Sequence, residues 1–175
     1  MRCPAISPDE PERLRALSDY GLDDEQLVPS LEPVVHIAAR MLGMPVAAVN
    51  MIGSDHVFFA ASVGVGEVDM SRDVSFCAHA INQREVMVVF DAREDERFHD
   101  NPLVEGPNGI RFYAGVPLVT PEGHAMGALC VIDSVPRPDF SEDDRNRLLE
   151  LAKMTSDRLE LRRIATAAQR SRPSF

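Results

Sequence analysis

IRFYAGVPLVTPEGHAMGALCVID, residues 110–133, reads as two strands and the turn that joins them. Ile110 to Val119 and His124 to Asp133 flank Thr120-Pro121-Glu122-Gly123, a proline-then-glycine sequence suited to an antiparallel hairpin. Upstream the same logic recurs. Val46 to Ile52 is apolar on both alternating faces apart from Asn50, as expected of a strand covered on both sides. Gly53-Ser54-Asp55 then turns the chain into a second strand, His56 to Val63, ended by Gly64 and Gly66. Val86 to Phe90 is a further short strand rich in β-branched residues.

Helices fill the spaces between these hairpins. Ser7-Pro8-Asp9-Glu10 supplies an N-cap serine, a proline at the first helical position and a glutamate at the third, so a helix is expected to Asp19, stopped by Gly21. A second runs from Ser30 to Gly43 on a buried stripe of Leu31, Val34, Val35, Ala38, Met41 and Leu42. Ser75 caps a short helix ending near Asn82, and Ser141 with Asp144 opens a long final helix to about Ala168. Two hairpins without strand–helix–strand alternation define an α+β protein with a mainly antiparallel sheet. The 19 residues from Asp91 to Gly109 have no clear periodicity, and a connection of that length is usually functional; Phe98, Pro102, Leu103 and Val104 point to a packed loop.

The chain has 175 residues, a length for one domain with helical appendages. It is 45% hydrophobic and 26% charged, which excludes a disordered or fibrous protein. The net charge of -10 is uneven: residues 141–175 carry eight basic and six acidic side chains, so the other 140 have a net of -12. Such a surface repels phosphate backbones, and no basic stripe with interleaved aromatics is present, so no nucleic-acid partner is expected. No apolar run approaches a membrane span and the beginning lacks the pattern of a secretory signal, so no membrane partner is expected and the cytoplasm is the expected location. Cys3, Cys77 and Cys130 form no CxxC pair, which argues for reduced thiols over a disulfide framework or zinc site.

Taken together, several segments resemble one branch of the GAF domain family. They are Arg72-Asp73-Val74-Ser75-Phe76-Cys77-Ala78-His79-Ala80-Ile81, Val89-Phe90-Asp91-Ala92 with Asp95, Arg97 and Phe98, and Asn101-Pro102-Leu103-Val104. Ile110 to Leu118, the turn 120–123 and Gly127-Ala128-Leu129-Cys130-Val131-Ile132-Asp133 continue the match in order, so that it spans roughly residues 12–168. The resemblance implies a GAF-like, profilin-like antiparallel sheet of about six strands with helices on both sides, and a small-molecule pocket between sheet and long loop. Members of this bacterial branch form the N-terminal sensory domain of sensor histidine kinases, as in two-component systems, and of diguanylate cyclases, or stand alone.

Specialised branches fit less well. Bilin-binding members attach the chromophore to a cysteine commonly followed by histidine, whereas Cys77 precedes Ala78 and Cys130 precedes Val131. Cyclic-nucleotide-binding members carry an Asn-Lys…Phe…Asp-Glu signature, and Lys153, in the final helix, is the sole lysine. Members that reduce free methionine sulfoxide cluster their cysteines in a different context.

The expected ligand-binding residues are Phe76, Cys77, Asp91, Phe98, Arg111, Tyr113 and Cys130. Strand alternation puts Arg111 and Tyr113 on one face, where a guanidinium and a phenol can converge on a ligand's carboxylate or phosphate; alternatively Arg111 pairs with a loop acid such as Asp91. Cys77, near a helix start, and Cys130, on a strand, are either reactive thiols or two buried small hydrophobes, and they are expected not to form a disulfide pair. His79 lies about 200 degrees around the helix from Cys77, which disfavours a Cys–His dyad. The scattered histidines show no metal-binding spacing, and no catalytic motif or cofactor is indicated.

The sequence therefore describes a non-enzymatic cytoplasmic sensory module that binds an unidentified small molecule or senses redox state. A thiol enzyme of the free methionine sulfoxide reductase type is the alternative. The expected divisions are an N-terminal helical segment over 1–24, a sensory core over 25–140, and a C-terminal signalling helix with polar tail over 141–175. That helix carries two apolar stripes: Leu148, Ala152, Thr155 and Leu159, facing the sheet, and Leu151, Met154, Leu161, Ala165 and Ala168, available to a twin. A homodimer is expected, joined also through Leu14 and Leu17, with a histidine kinase or diguanylate cyclase output domain as its partner.

Overall fold

The computed structural model describes residues 1–22, 27–66 and 68–171. The hairpins form where the sequence places them: β1 (Val46–Ile52) with β2 (His56–Val63), and β5 (Phe112–Val119) with β6 (Ala125–Asp133). Two short strands, β3 (Met70–Ser71) and β4 (Met87–Val89), close the edges of a six-stranded sheet in the order β3-β2-β1-β6-β5-β4. Every pairing is antiparallel. β1 and β6, distant in sequence, meet at the centre, with Ala48 opposite Cys130 and Asn50 opposite Ala128. A bulge beside Asn50 makes Ala60 an extra residue on β2.

Each face of the sheet is covered by different elements. α1 (Glu10–Asp19), α2 (Glu32–Leu42) and α4 (Glu142–Arg170) bury Leu17, Val35, Leu148 and Leu159 against Val49, Met51, Leu129 and Val131. On the opposite face lie α3 (Phe76–Ala80) and the 91–109 segment. The latter is packed, as its apolar residues imply: Phe98 and Val104 are buried. Asn101 ties it down, donating from Nδ2 to the Val74 carbonyl at 2.9 Å and accepting from the Leu103 N–H.

Several details differ from the sequence reading. α1 is capped at Asp9 instead of Ser7, whose hydroxyl bonds the Asp9 carboxylate. Its start is fixed by tertiary partners: Glu10 faces two buried guanidiniums, those of Arg13 and Arg72. β4 is shorter than 86–90, leaving Phe90 exposed. In α4 the Ser141–Asp144 capping box forms and Leu148, Ala152, Thr155 and Leu159 are buried, but Leu151 also joins the core, as does Leu17 of α1. Neither is free for a partner. The boundary expected at 24/25 lies outside the described residues.

Candidate functional site

Ser75 opens α3 by accepting from the Ala78 N–H at 3.2 Å, which turns Phe76 and Cys77 toward the sheet. Phe76 stacks on Phe98 of the 91–109 segment, their ring centroids 3.9 Å apart, and its other neighbour is Tyr113, at 5.3 Å. From β5, Tyr113 donates its phenolic O–H to Cys77 Sγ at 3.1 Å. Asn50 of β1 donates Nδ2 to the same sulfur at 3.2 Å and reaches Cys130 Sγ at 3.9 Å. Phe76, Cys77, Phe98, Tyr113 and Cys130, on four separate chain segments, thus form one buried cluster.

The electrostatics of this cluster are directional. The Cys130 thiol is the strongest donor to Cys77 and, with Tyr113 and Asn50, holds the Cys77 thiol below its ordinary range against the opposing effect of burial. Donating that proton pushes Cys130 up, and burial adds to the rise. Burial also raises Tyr113, helped by the nearby sulfurs. Of the two thiols, Cys77 is therefore the more acidic and Cys130 the less. β6 and α3 bring the two thiols onto the same asparagine.

Asp91 and Arg111 lie at the edge of this cluster. Arg111 Nε and Nη2 donate to the two Asp91 carboxylate oxygens at 2.8 and 2.6 Å, and this hydrogen-bonded guanidinium holds the Asp91 carboxyl below the usual range. The pair pins one end of the 91–109 segment to the other. Arg111 consequently does not converge with Tyr113: it precedes β5 and is engaged by Asp91, while Tyr113 is engaged by Cys77. The space expected to open as a pocket is filled by the Phe76, Phe98 and Tyr113 rings. His79 lies away from Cys77, with Nε2 donating to the Arg2 carbonyl at 3.0 Å and its ring edge-on to Phe98.

Asn50 was not among the expected site residues. Its signal was present in the sequence, as the polar member of an otherwise apolar central strand. Among the described residues no group of three or more His, Cys, Asp or Glu side chains could hold a metal ion.

Residues 26–162 match the GAF domain family. The chain belongs to that family. The six-stranded antiparallel sheet with helices around it is a GAF fold, and membership of the family supports a sensory role in signalling. A cyclic di-GMP phosphodiesterase of Pseudomonas aeruginosa is 37% identical over 159 residues, 91% of this chain and 27% of that protein. The chain therefore spans just over a quarter of that curated relative. Among solved structures, free methionine-R-sulfoxide reductase from Neisseria meningitidis superposes with a TM-score of 0.64 at 21% identity, covering 94% of this GAF chain and 99% of the other. The GAF domain of a phosphoenolpyruvate-protein phosphotransferase from Coxiella burnetii gives 0.64 at 16% identity, covering 89% and 95%. At these identities the likeness is one of fold. No helix among the described residues is long and apolar enough to cross a membrane.

Proposed function

We propose that the chain is a non-enzymatic, cytoplasmic sensory module whose signal, a small molecule or a redox change, is received beneath the 91–109 segment and relayed through its terminal helices to an output domain. The observation that carries this reading is the buried polar cluster of Asn50, Cys77, Tyr113 and Cys130, placed between the central strands and a helix that holds the N-terminal arm. A polar group in a core is costly unless it is satisfied, and here it occupies a position that simple packing would give to hydrophobes. A ligand would enter by displacing the Phe76–Phe98 stack, with the Asp91–Arg111 pair as the clasp of the segment. Phe76, Cys77, Asp91, Phe98, Arg111, Tyr113 and Cys130 remain the residues we assign to reception, with Asn50 added.

In this reading 1–24 is the N-terminal helical segment, 25–140 the sensory core and 141–175 the signalling helix with its polar tail, in a homodimer. The output domain is a histidine kinase, a diguanylate cyclase or, by the likeness to the Pseudomonas protein, a cyclic di-GMP phosphodiesterase. A second reading, a thiol enzyme acting on free methionine sulfoxide, draws support from the adjacency of Cys77 and Cys130. Against it, the Phe76, Phe98 and Tyr113 rings fill the space beside the two buried sulfurs that an amino-acid-sized substrate would need.

An NADPH- and thioredoxin-coupled assay with free methionine-R-sulfoxide separates the readings. No turnover above background is expected, together with a dimeric native mass. Sustained NADPH consumption that disappears in Cys77→Ser would overturn the non-enzymatic assignment.

A further inference from the structure

Beneath α3 two thiols share one amide, and no other pair of described cysteines is placed this way: Cys3 is exposed and outside the buried cluster. A sulfur that accepts from a phenol and an amide is built to carry charge, since hydrogen bonds to the ionised form stabilise it. A structural cysteine in an apolar core needs no such donors. Beside these sulfurs the Asn50 Oδ1 atom is buried without a hydrogen-bond partner. An asparagine whose amide end is fully committed while its carbonyl end is orphaned is held for its donors, because a buried unsatisfied oxygen is otherwise selected against.

We propose that Cys77 and Cys130 are a two-electron redox pair, in which a hydroperoxide oxidises Cys77 and Cys130 closes a disulfide that disturbs α3. In the first step the Cys77 sulfur attacks the peroxide. The O–O bond breaks, an S–OH bond forms, and the departing oxygen leaves as water or an alcohol, taking the proton that Cys77 gave up. In the second step the Cys130 sulfur attacks Cys77, the S–O bond breaks, and the hydroxyl leaves with the Cys130 proton as water. Two electrons pass from the thiols to one hydroperoxide, and one disulfide remains.

The consequence follows from the same hydrogen bonds. A disulfide sulfur is a poor acceptor, so Tyr113 O–H and Asn50 Nδ2 lose the charge they were directed at, within a buried site. α3 carries that disturbance to the N-terminal arm, which it holds through His79 Nε2 to the Arg2 carbonyl and Asn82 Nδ2 to the Ala5 carbonyl, at 3.0 and 2.8 Å. Oxidation thus loosens the arm that leads into α1. The proposal names the signal for the sensory reading and rests on that reading only for its output; disulfide formation is measured without any output, so either can fail alone.

The test uses Cys3→Ser, a change at an exposed position, treated with hydrogen peroxide, followed by unfolding, alkylation and peptide mass spectrometry. The expected result is joint loss of two thiols, a cross-linked peptide containing Cys77 and Cys130, and full recovery with dithiothreitol. Tyr113→Phe, which removes one donor from the attacking sulfur, should slow the loss by about tenfold. Oxidation should also raise amide exchange over residues 2–6. Both thiols remaining alkylatable under peroxide that fully oxidises Cys3 in the unaltered chain would overturn the pair, as would Cys77 sulfinic acid without a cross-link. A cross-link with unchanged exchange in the arm would overturn the coupling to α1.

Discussion

Gly115 lacks a side chain at a place where Tyr113 leaves no room for one. A Cβ at this position would sit 2.1 Å from Tyr113 Oη and 2.6 Å from Cζ. The phenol lies back along its own strand over the glycine, and this carries its hydroxyl to Cys77. Gly115→Ala should therefore expel the ring from its position, costing about 1 to 3 kcal/mol as an overpacked core. Urea unfolding checks the cost, and thiol alkylation of the native protein checks the displacement, since expelling the whole ring opens the buried Cys77 to reagent and should make it faster to react. The cluster was half legible at this scale: Phe76, Cys77, Phe98, Tyr113 and Cys130 were named together, but not Asn50 or the hydrogen bonds that converge on Cys77. The sulfurs are 53 positions apart in the chain, and no local spacing relates a five-residue helix to a strand on the far side of a long loop.

At the scale of elements, α1 is held to the sheet by charge as well as by Leu17. Arg13 donates to Glu10 at 2.7 Å and to the Ile52 carbonyl at 2.8 Å, and Arg72 donates to Glu10 and to the Gly53 carbonyl at 3.0 Å. Both guanidiniums are buried. Burial alone would raise the Glu10 carboxyl, but hydrogen bonds from Arg13 and Arg72 outweigh it and hold Glu10 down to about 2. Because the folded value lies below the ordinary 4.5, this contribution to stability is complete above that pH and is lost as pH falls through about 2. Glu10→Gln should flatten that acid limb in chemical denaturation measured across pH. Glu10→Ala at neutral pH should cost about 3 to 5 kcal/mol, since it leaves two buried guanidiniums without their carboxylate; hydrogen exchange should then rise through α1. The sequence showed Glu10 only as a helix-start residue. Its partner Arg72 is 62 positions away, and such a pairing has no periodic signature.

For the whole molecule, the question is what meets the end of α4. With Leu151 in the core, the apolar side chains left open on this helix are chiefly Met154, Leu161 and Ile164, exposed by 48, 67 and 51%. Met154 and Leu161 are one heptad apart and Ile164 follows by three, the spacing of a two-helix seam. In the proposed sensory reading, a parallel pair along this seam is the simplest route from the sensory core to an output domain. Light scattering coupled to size exclusion should give about twice 19.3 kDa at micromolar concentration. Leu161→Glu with Ile164→Glu should return the mass of one chain while leaving the unfolding midpoint of the separated domain nearly unchanged, as substitutions at exposed positions do. A single-chain mass before any substitution would remove the dimer and the relay through it.

What this sequence determined by itself was local: the hairpin 110–133, the strand 46–52, the helix stripes and the packed character of 91–109. Those features depend on alternation, helical periodicity and turn chemistry between residues close in the chain. Through the ordered segments of its family it also determined the fold class. The edge strand β3 escaped because two residues carry no periodicity, and the start of α1 escaped because the distant Arg72 helps to fix it. Only the tertiary structure decided that Arg111 joins Asp91 and that Cys77, Cys130, Tyr113 and Asn50 share one site. Hydrogen bonds and ion pairs form between whichever groups the folded backbone brings within about 3 Å, and that proximity is set by the pairing of β1 with β6 and the seating of α3 on them.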